Sequence, residues 1–344
     1  MDRRAPWAGR RVRRFHLQPI EDTVTRRNLI TGGAGFIGSH LAEYLLGLGE
    51  EVVVWDNLST GRMANLRHCI GNPRFRYIIS DFTADSAFTG AVERSDVVFH
   101  LAAAVGVQLI VNDPVRTIET NIVGTEVALR AAAKFGTRVF VASTSEVYGK
   151  GTKVPFAEDD DVLYGPTTKR RWNYAISKAI DEFLLFAYHE SHALPGVVGR
   201  LFNTVGPRQV PHYGMVIPRF VEQARRNEPI TVYGDGTQSR CFGHVMDIVP
   251  AIHTLVHSDS ALGQVVNLGN DQEITIKDLA CLVRERLNST SEIRFIPYEQ
   301  AFRPGFEDMQ RRVPDLSKAR RLIGYRPKRS LADAIDDIQA DLNA

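Results

Sequence analysis

The sequence predicts an α/β fold: a Rossmann-like, doubly wound parallel sheet with a smaller C-terminal α/β lobe. Three observations carry that expectation. From residue 28 onward, short β-rich runs alternate with amphipathic helical stretches, the pattern in which each strand is followed by a helix that crosses back over the sheet. The first run ends in a glycine-rich turn that opens a helix, the arrangement found at the ligand end of such sheets. After residue 202, Gly206, Pro207, Pro211, Gly214, Pro218, Pro229, Gly234 and Gly236 cut the chain into shorter elements, which suits a second lobe.

Taken in order, the runs predict strands over residues 28–31, 51–55, 76–80, 96–101, 138–142 and 197–202, with helices over 37–48, 114–135 and 172–192. The expected organisation is a basic, disordered extension over 1–27, a Rossmann domain over 28–202, and a mainly substrate-binding lobe over 203–344 that returns to the sheet near 240–270. With 344 residues, 44% hydrophobic and 24% charged, the chain has the composition of an ordinary globular protein, which excludes disordered, collagenous and disulfide-framework classes. The net charge of +2 hides an asymmetry: residues 1–27 hold eight arginines against Asp2, Glu21 and Asp22, leaving the rest at about −3. A nucleic-acid binder would carry its positive charge on the folded body, so no such partner is expected.

Cys69, Cys241 and Cys281 are few and far apart, which fits a reducing, cytoplasmic setting. The longest apolar stretch, 97–111, is interrupted by His100 and Gln108 and falls short of the roughly 18 residues of a membrane span, so no membrane association is expected. His253 and His257 stand four apart on an expected helix, but no nearby carboxylate or third histidine completes a set; no metal is expected. The acidic run Glu158 to Asp161 reads as a solvated turn.

Chemistry enters at the first turn. Gly33, Gly35 and Gly38 satisfy G-x-G-x-x-G, and Gly32, Gly35 and Gly38 the wider G-x-x-G-x-x-G spacing. Glycine is required where the backbone turns tightly, approaches a pyrophosphate and aims helix amides at its charge. Asp56 closes the next strand 24 residues after Gly32, where a carboxylate holds a ribose 2′-hydroxyl and repels a 2′-phosphate. NAD rather than NADP is therefore the expected cofactor, although Arg62 stands nearby. Tyr174 and Lys178 lie four apart and share one helical face. A phenol is a poor base unless a neighbouring ammonium and a positive nicotinamide favour its ionised form. The stretch Ser143 to Gly149 ends the fifth strand, at the edge of the sheet where ligands sit.

With these segments assembled, the sequence resembles the extended short-chain dehydrogenase/reductase family acting on nucleotide sugars (NAD-dependent epimerases and dehydratases), over essentially all of residues 28–340. The resemblance rests on the glycine turn, His100-Leu101-Ala102-Ala103, the Ser143 to Gly149 run, Tyr174-x-x-x-Lys178, Arg200-Leu201-Phe202-Asn203 with Gly206-Pro207-Arg208, and Gly234-Asp235-Gly236-Thr237-Gln238-Ser239-Arg240. Within the family it is most similar to UDP-glucuronate decarboxylases, through Ser143-Thr144-Ser145-Glu146, Gly165-Pro166 with Lys169-x-Arg171-Trp172-x-Tyr174, Arg240-Cys241-Phe242, and Gly305-Phe306-Glu307-Asp308 leading to Arg312-x-Pro314. Two positions depart from the pattern: Ile110 and Phe306 stand where those enzymes carry tyrosines.

The resemblance implies that Tyr174 oxidises the sugar at C4, that Lys178 holds the ribose and tunes Tyr174, and that Thr144 and Ser145 bond the sugar hydroxyls. Glu146 and Arg312 would serve around C5 and the carboxylate, as acid/base and charge-stabilising groups. It places Phe36, Ile37, Asn57, Asp81, Phe82, Leu101, Ala102 and Ala103 with the glycines and Asp56 at the cofactor, and Arg171, Asn203, Thr231, Tyr233 and Arg240 at the nucleotide diphosphate and sugar. The implied partners are a UDP-linked sugar and a second copy of the chain, joined through the apolar faces of helices 114–135 and 172–192. Decarboxylation of UDP-glucuronate leads; a UDP-sugar 4-epimerase, a 4,6-dehydratase and a catalytically silent NAD sensor are the alternatives.

Overall fold

Alternate residues of the central strands point to opposite faces of one sheet, and both faces are covered. The computed structural model describes residues 25–105, 113–210, 215–301 and 309–343. Seven strands lie parallel: β1 (Arg27–Thr31), β2 (Glu51–Asp56), β3 (Phe75–Ile79), β4 (Val97–His100), β5 (Arg138–Thr144), β6 (Gly196–Leu201) and β7 (Val265–Leu268), in the order β7-β6-β5-β4-β1-β2-β3. Asn28 of β1 stands opposite Val52 on one side and Val97 on the other. The expected strands are all present, displaced by a residue or so at their ends, and β7 adds an edge strand against β6.

On one face, Ile30, Phe99 and Phe140 pack against helix α1 (Phe36–Gly47) and helix α4 (Val245–His257) through Leu41, Leu45, Ile248 and Ile252. On the other, Leu29, Val98, Val139 and Val141 meet helix α2 (Pro114–Phe135) and helix α3 (Asn173–His192) through Ala128, Leu129, Ala132 and Leu185. Strands buried on both faces read as continuous apolar runs, which is why β1, β4 and β5 do so. Asp113 caps α2 by accepting the Arg116 amide at 3.3 Å, Pro114 occupies its first turn, and Gly136 ends it with φ +66°. These caps place the helix ends at 114 and 135, as the sequence pattern predicts.

A separate apolar cluster joins helices Val216–Arg225, Ile276–Arg286 and Leu331–Leu342 with the parallel strands Ile230–Tyr233 and Ile293–Ile296. This C-terminal lobe faces the ends of β1 and β4, where the strand order reverses and a crevice opens beyond the carboxyl ends. Of the extension expected over 1–27, Arg27 begins β1, and residues 1–24, like Ile110 and Phe306, lie outside the described residues. The acidic run is less solvated than its composition suggests: Glu158 is buried and accepts the Asn267 amide at 2.8 Å. Among the described residues no helix is long and apolar enough to cross a membrane.

Candidate active site

The crevice is a cavity of about 1240 Å³. One wall is the glycine turn between β1 and α1. Gly32 has φ +71°, and a Cβ there would sit 2.8 Å from the Ala102 nitrogen; a Cβ on Gly38 would meet the Gly32 oxygen at 2.4 Å. Any side chain at either position would push the turn away from β4. Gly35, at the α1 N-cap, offers no side-chain acceptor, and residues 35–38 line the cavity; first-turn amides left without intrahelical acceptors are what an anion meets at a helix start.

Asp56 fixes the turn from below. Its two carboxylate oxygens accept the Ala34 amide at 2.9 Å and the Leu58 amide at 2.7 Å. Burial pushes this carboxyl upward, and the two amides pull against that. Asn57, Asp81, Phe82, Leu101, Ala102 and Ala103 line the same half of the cavity. The pocket thus has the parts of a dinucleotide cradle: a turn where no Cβ fits, a helix N-terminus, and a carboxylate at the end of β2.

The other half is built by the turn after β5, the start of α3 and a segment from the C-terminal lobe. Thr144 ends β5 and caps the 3₁₀ turn Ser145–Tyr148, its hydroxyl accepting the Glu146 amide at 3.2 Å. Glu146 is held between two guanidiniums, Arg171 at 2.5 Å on one oxygen and Arg312 at 2.8 Å on the other. Arg312 also reaches the Ser145 hydroxyl at 3.5 Å. Its segment is laid along residue 156, with the Phe156 amide donating to the Val313 carbonyl and the Asp315 amide to the Phe156 carbonyl, both at 2.8 Å. Burial pushes the Glu146 carboxyl upward, but the two arginines overcome it and hold the group down at about 2. Glu146 is therefore a carboxylate at neutral pH.

Tyr174 and Lys178 rise from α3 into this half, both buried. Here the structure departs from the simplest expectation. Burial, and after it the Glu146 charge, push the Tyr174 phenol above its ordinary range, against a hydrogen bond with Thr144 and the charge of Arg171. Lys178 is turned to Asp181, its Nζ 2.6 Å from Oδ2. The phenol of the ligand-free site is protonated.

Thr144, Ser145, Glu146, Arg171, Tyr174, Lys178, Asn203, Tyr233, Arg240 and Arg312 all line the one cavity. One expected contact falls elsewhere. Thr231 is outside the lining: its amide and hydroxyl are engaged with Gln223, and its carbonyl accepts Arg219 at 3.1 Å. Arg171, expected at the nucleotide diphosphate and sugar, lines the cavity paired with Glu146. Sequence reasoning missed Arg219, whose guanidinium stacks on Tyr233 at 4.1 Å in the lining of the C-terminal lobe, and Asp181; the Lys-x-x-Asp spacing was visible for the latter.

A family model described as GDP-mannose 4,6 dehydratase matches residues 29–338. The chain belongs to this family. A family relative, UDP-N-acetyl-alpha-D-glucosaminuronate decarboxylase of Bacillus cytotoxicus, is 42% identical over 305 residues, spanning 88% of this chain and 93% of its own. UDP-glucuronic acid decarboxylase 1 of Arabidopsis thaliana is 37% identical over 315 residues, 92% of this chain and 69% of its own. The crystal structure of UDP-glucuronic acid 4-epimerase from Bacillus cereus, in complex with UDP-glucuronic acid and NAD, superposes with a TM-score of 0.83 at 28% identity, covering 92% of this chain and 99% of that one. The family is one of enzymes of nucleotide-sugar metabolism, and this chain is one of them.

Proposed function

We propose that the chain decarboxylates a UDP-linked hexuronate, UDP-glucuronate first, through a 4-keto intermediate, with NAD held by the glycine turn and Asp56. The observation that carries the reading is the pair of buried arginines, Arg171 and Arg312, gathered on one carboxylate beside Tyr174. Two guanidiniums able to grip a carboxylate in forked geometry are what a uronate requires and a neutral sugar does not. The identities with two decarboxylases support it.

NAD, held by the glycine turn and Asp56, would supply the hydride acceptor for oxidation at C4. Tyr174 takes the C4 hydroxyl proton, with Thr144 orienting the phenol. The substrate carboxylate at C6 is then β to a ketone, so the C5–C6 bond breaks, carbon dioxide leaves, and the electron pair moves into the carbonyl as an enolate. Arg312 and Arg171 bind the substrate carboxylate and orient the C5–C6 bond for cleavage. As the incoming carboxylate draws an arginine from Glu146, the support that kept Glu146 ionised weakens, and the carboxyl becomes able to hold the proton that C5 needs. Lys178 binds the ribose and steadies Tyr174. Arg219, Tyr233 and Arg240 hold the nucleotide.

A second reading of the substrate has its own support: the 42%-identical relative is named for a 2-acetamido uronate, so UDP-N-acetylglucosaminuronate belongs beside UDP-glucuronate in any assay. Val115 and Phe183, on α2 and α3, are 63% and 73% exposed, and we assign this apolar face to a second copy of the chain, giving a homodimer. The three cysteines are unpaired, in keeping with a cytoplasmic enzyme. Incubation with each UDP-sugar, followed by mass spectrometry, tests the function: a UDP-pentose or 4-keto-pentose is expected, and UDP-galacturonate alone would make the chain a 4-epimerase.

A further inference from the structure

The helix that carries Tyr174 and Lys178 carries a third polar group on the same face. Tyr174, Lys178 and Asp181 stand at positions i, i+4 and i+7 of α3, one above the other along the helix. Lys178 is 2% exposed and Asp181 is fully buried, and their charged atoms are 2.6 Å apart. No role assigned so far uses Asp181. A carboxylate with no access to water must be matched to its surroundings, and the matching is specific.

Asp181 closes a chain of polar groups that crosses beneath the cavity. The Ala102 amide donates to the Thr31 hydroxyl at 3.4 Å, Thr31 lies 2.8 Å from His100 Nδ1, and His100 Nε2 lies 3.1 Å from the Thr125 hydroxyl. Thr125 lies beside Asp181. Burial, with the charge of Lys178 after it, holds His100 down at about 3, so the ring is neutral and carries one proton. With His100 Nε2–H donating to Thr125, Nδ1 accepts from Thr31, and the Thr125 hydroxyl proton is left to turn toward Asp181.

We propose that Asp181 is a positioning residue for the Tyr174–Lys178 pair: its carboxylate fixes the Lys178 ammonium and offsets that charge at the phenol, keeping Tyr174 protonated until substrate and cofactor are bound. This rests on the reading of Tyr174 as the base. The charged and titratable groups around Asp181 are Lys178, Tyr174 and Glu182 on its own helix, with His100 from β4; Glu146 and Arg171 face Tyr174 from the cavity side. Glu182 is itself paired with Arg200 and bonded by Ser143. Burial, the Glu146 charge and the Asp181 charge all act to hold the proton on Tyr174.

The sign of the test follows. Asp181→Asn keeps the size and an acceptor for Lys178 but removes the negative charge, so the phenol ionises more readily. Seven residues of helix span about 10 Å; one charge at about that distance, at the effective dielectric of protein sites, is worth about one pKa unit. The acid limb of the kcat/KM profile of the NAD-loaded enzyme is expected to move down by about one pH unit, with KM for the UDP-sugar little changed. Asp181→Ser, which leaves room for a water on Lys178, carries the same test if the asparagine variant does not fold. A purely structural Asp181 would lower the melting temperature and depress kcat equally at every pH with the limb unmoved, and that result overturns the proposal. A limb that moves up overturns it as well, because Asp181 would then serve only to keep Lys178 charged. Tyr174→Phe is run alongside: if it retains turnover, the base assignment has failed, whatever the Asp181 variants do.

Discussion

Replacing Glu146 with glutamine removes the one negative charge that Arg171 and Arg312 share while keeping the shape. In the native structure the carboxyl lies at about 2 against an ordinary 4.5, a depression that corresponds to about 3 kcal/mol of stability at neutral pH. The folded-state value is the lowered one, so this contribution is present in full above the unfolded value near 4.5 and disappears as the pH falls through about 2. The variant also leaves two buried guanidiniums facing each other with no anion between them, and removing one partner of such a cluster costs about 3–5 kcal/mol. Urea denaturation of the wild type and of Glu146→Gln at a series of pH values measures the difference. It is expected to be about 3 kcal/mol and flat above about pH 6, then to shrink from about pH 5 downward. A variant as stable as the wild type at pH 7 would refute the clamp.

Further outcomes follow from the same geometry. Tyr174→Phe is expected to abolish turnover while leaving UDP-sugar affinity, measured by calorimetry, nearly unchanged; near-normal turnover would remove Tyr174 from the mechanism. Titration of the protein should show NAD binding well ahead of NADP, and Asp56→Ala should erase most of that preference; tighter NADP binding by the wild type would contradict the role of Asp56. Phe183→Glu places a charge on the exposed face of α3 and should convert a dimer to monomers in sedimentation; an unchanged dimer would place the interface elsewhere.

What could be read in advance was local. The glycine spacing, the Tyr-x-x-x-Lys pair and the strand ends depend on neighbours in sequence, and the structure brings them to one crevice because parallel strands end together. Less legible was anything set by long-range pairing. Arg312 reaches Ser145 across 167 residues, and no spacing could reveal that Arg171 joins it on Glu146. Glu158 looked solvated because it opens an acidic run, yet its position against Asn267 of β7 buries it. The phenol of Tyr174 was expected to feel mainly Lys178; burial and Glu146 weigh more, and Lys178 faces Asp181. Thr231 sits in a motif that lines the cavity, but its own hydrogen bonds turn it to Gln223.

On this reading a carboxylate-bearing sugar loses carbon dioxide between Arg171 and Arg312. The direct measurement is trapped carbon dioxide from UDP-glucuronate and from UDP-N-acetylglucosaminuronate labelled at C6, with wild type and with Arg312→Ala. Label should be released by the wild type from at least one of the two, with release falling by about 10²-fold in the variant, the loss expected when a group that positions the reacting carboxylate is removed. No labelled gas from either substrate, with C4-inverted UDP-uronate as the product, would contradict this reading.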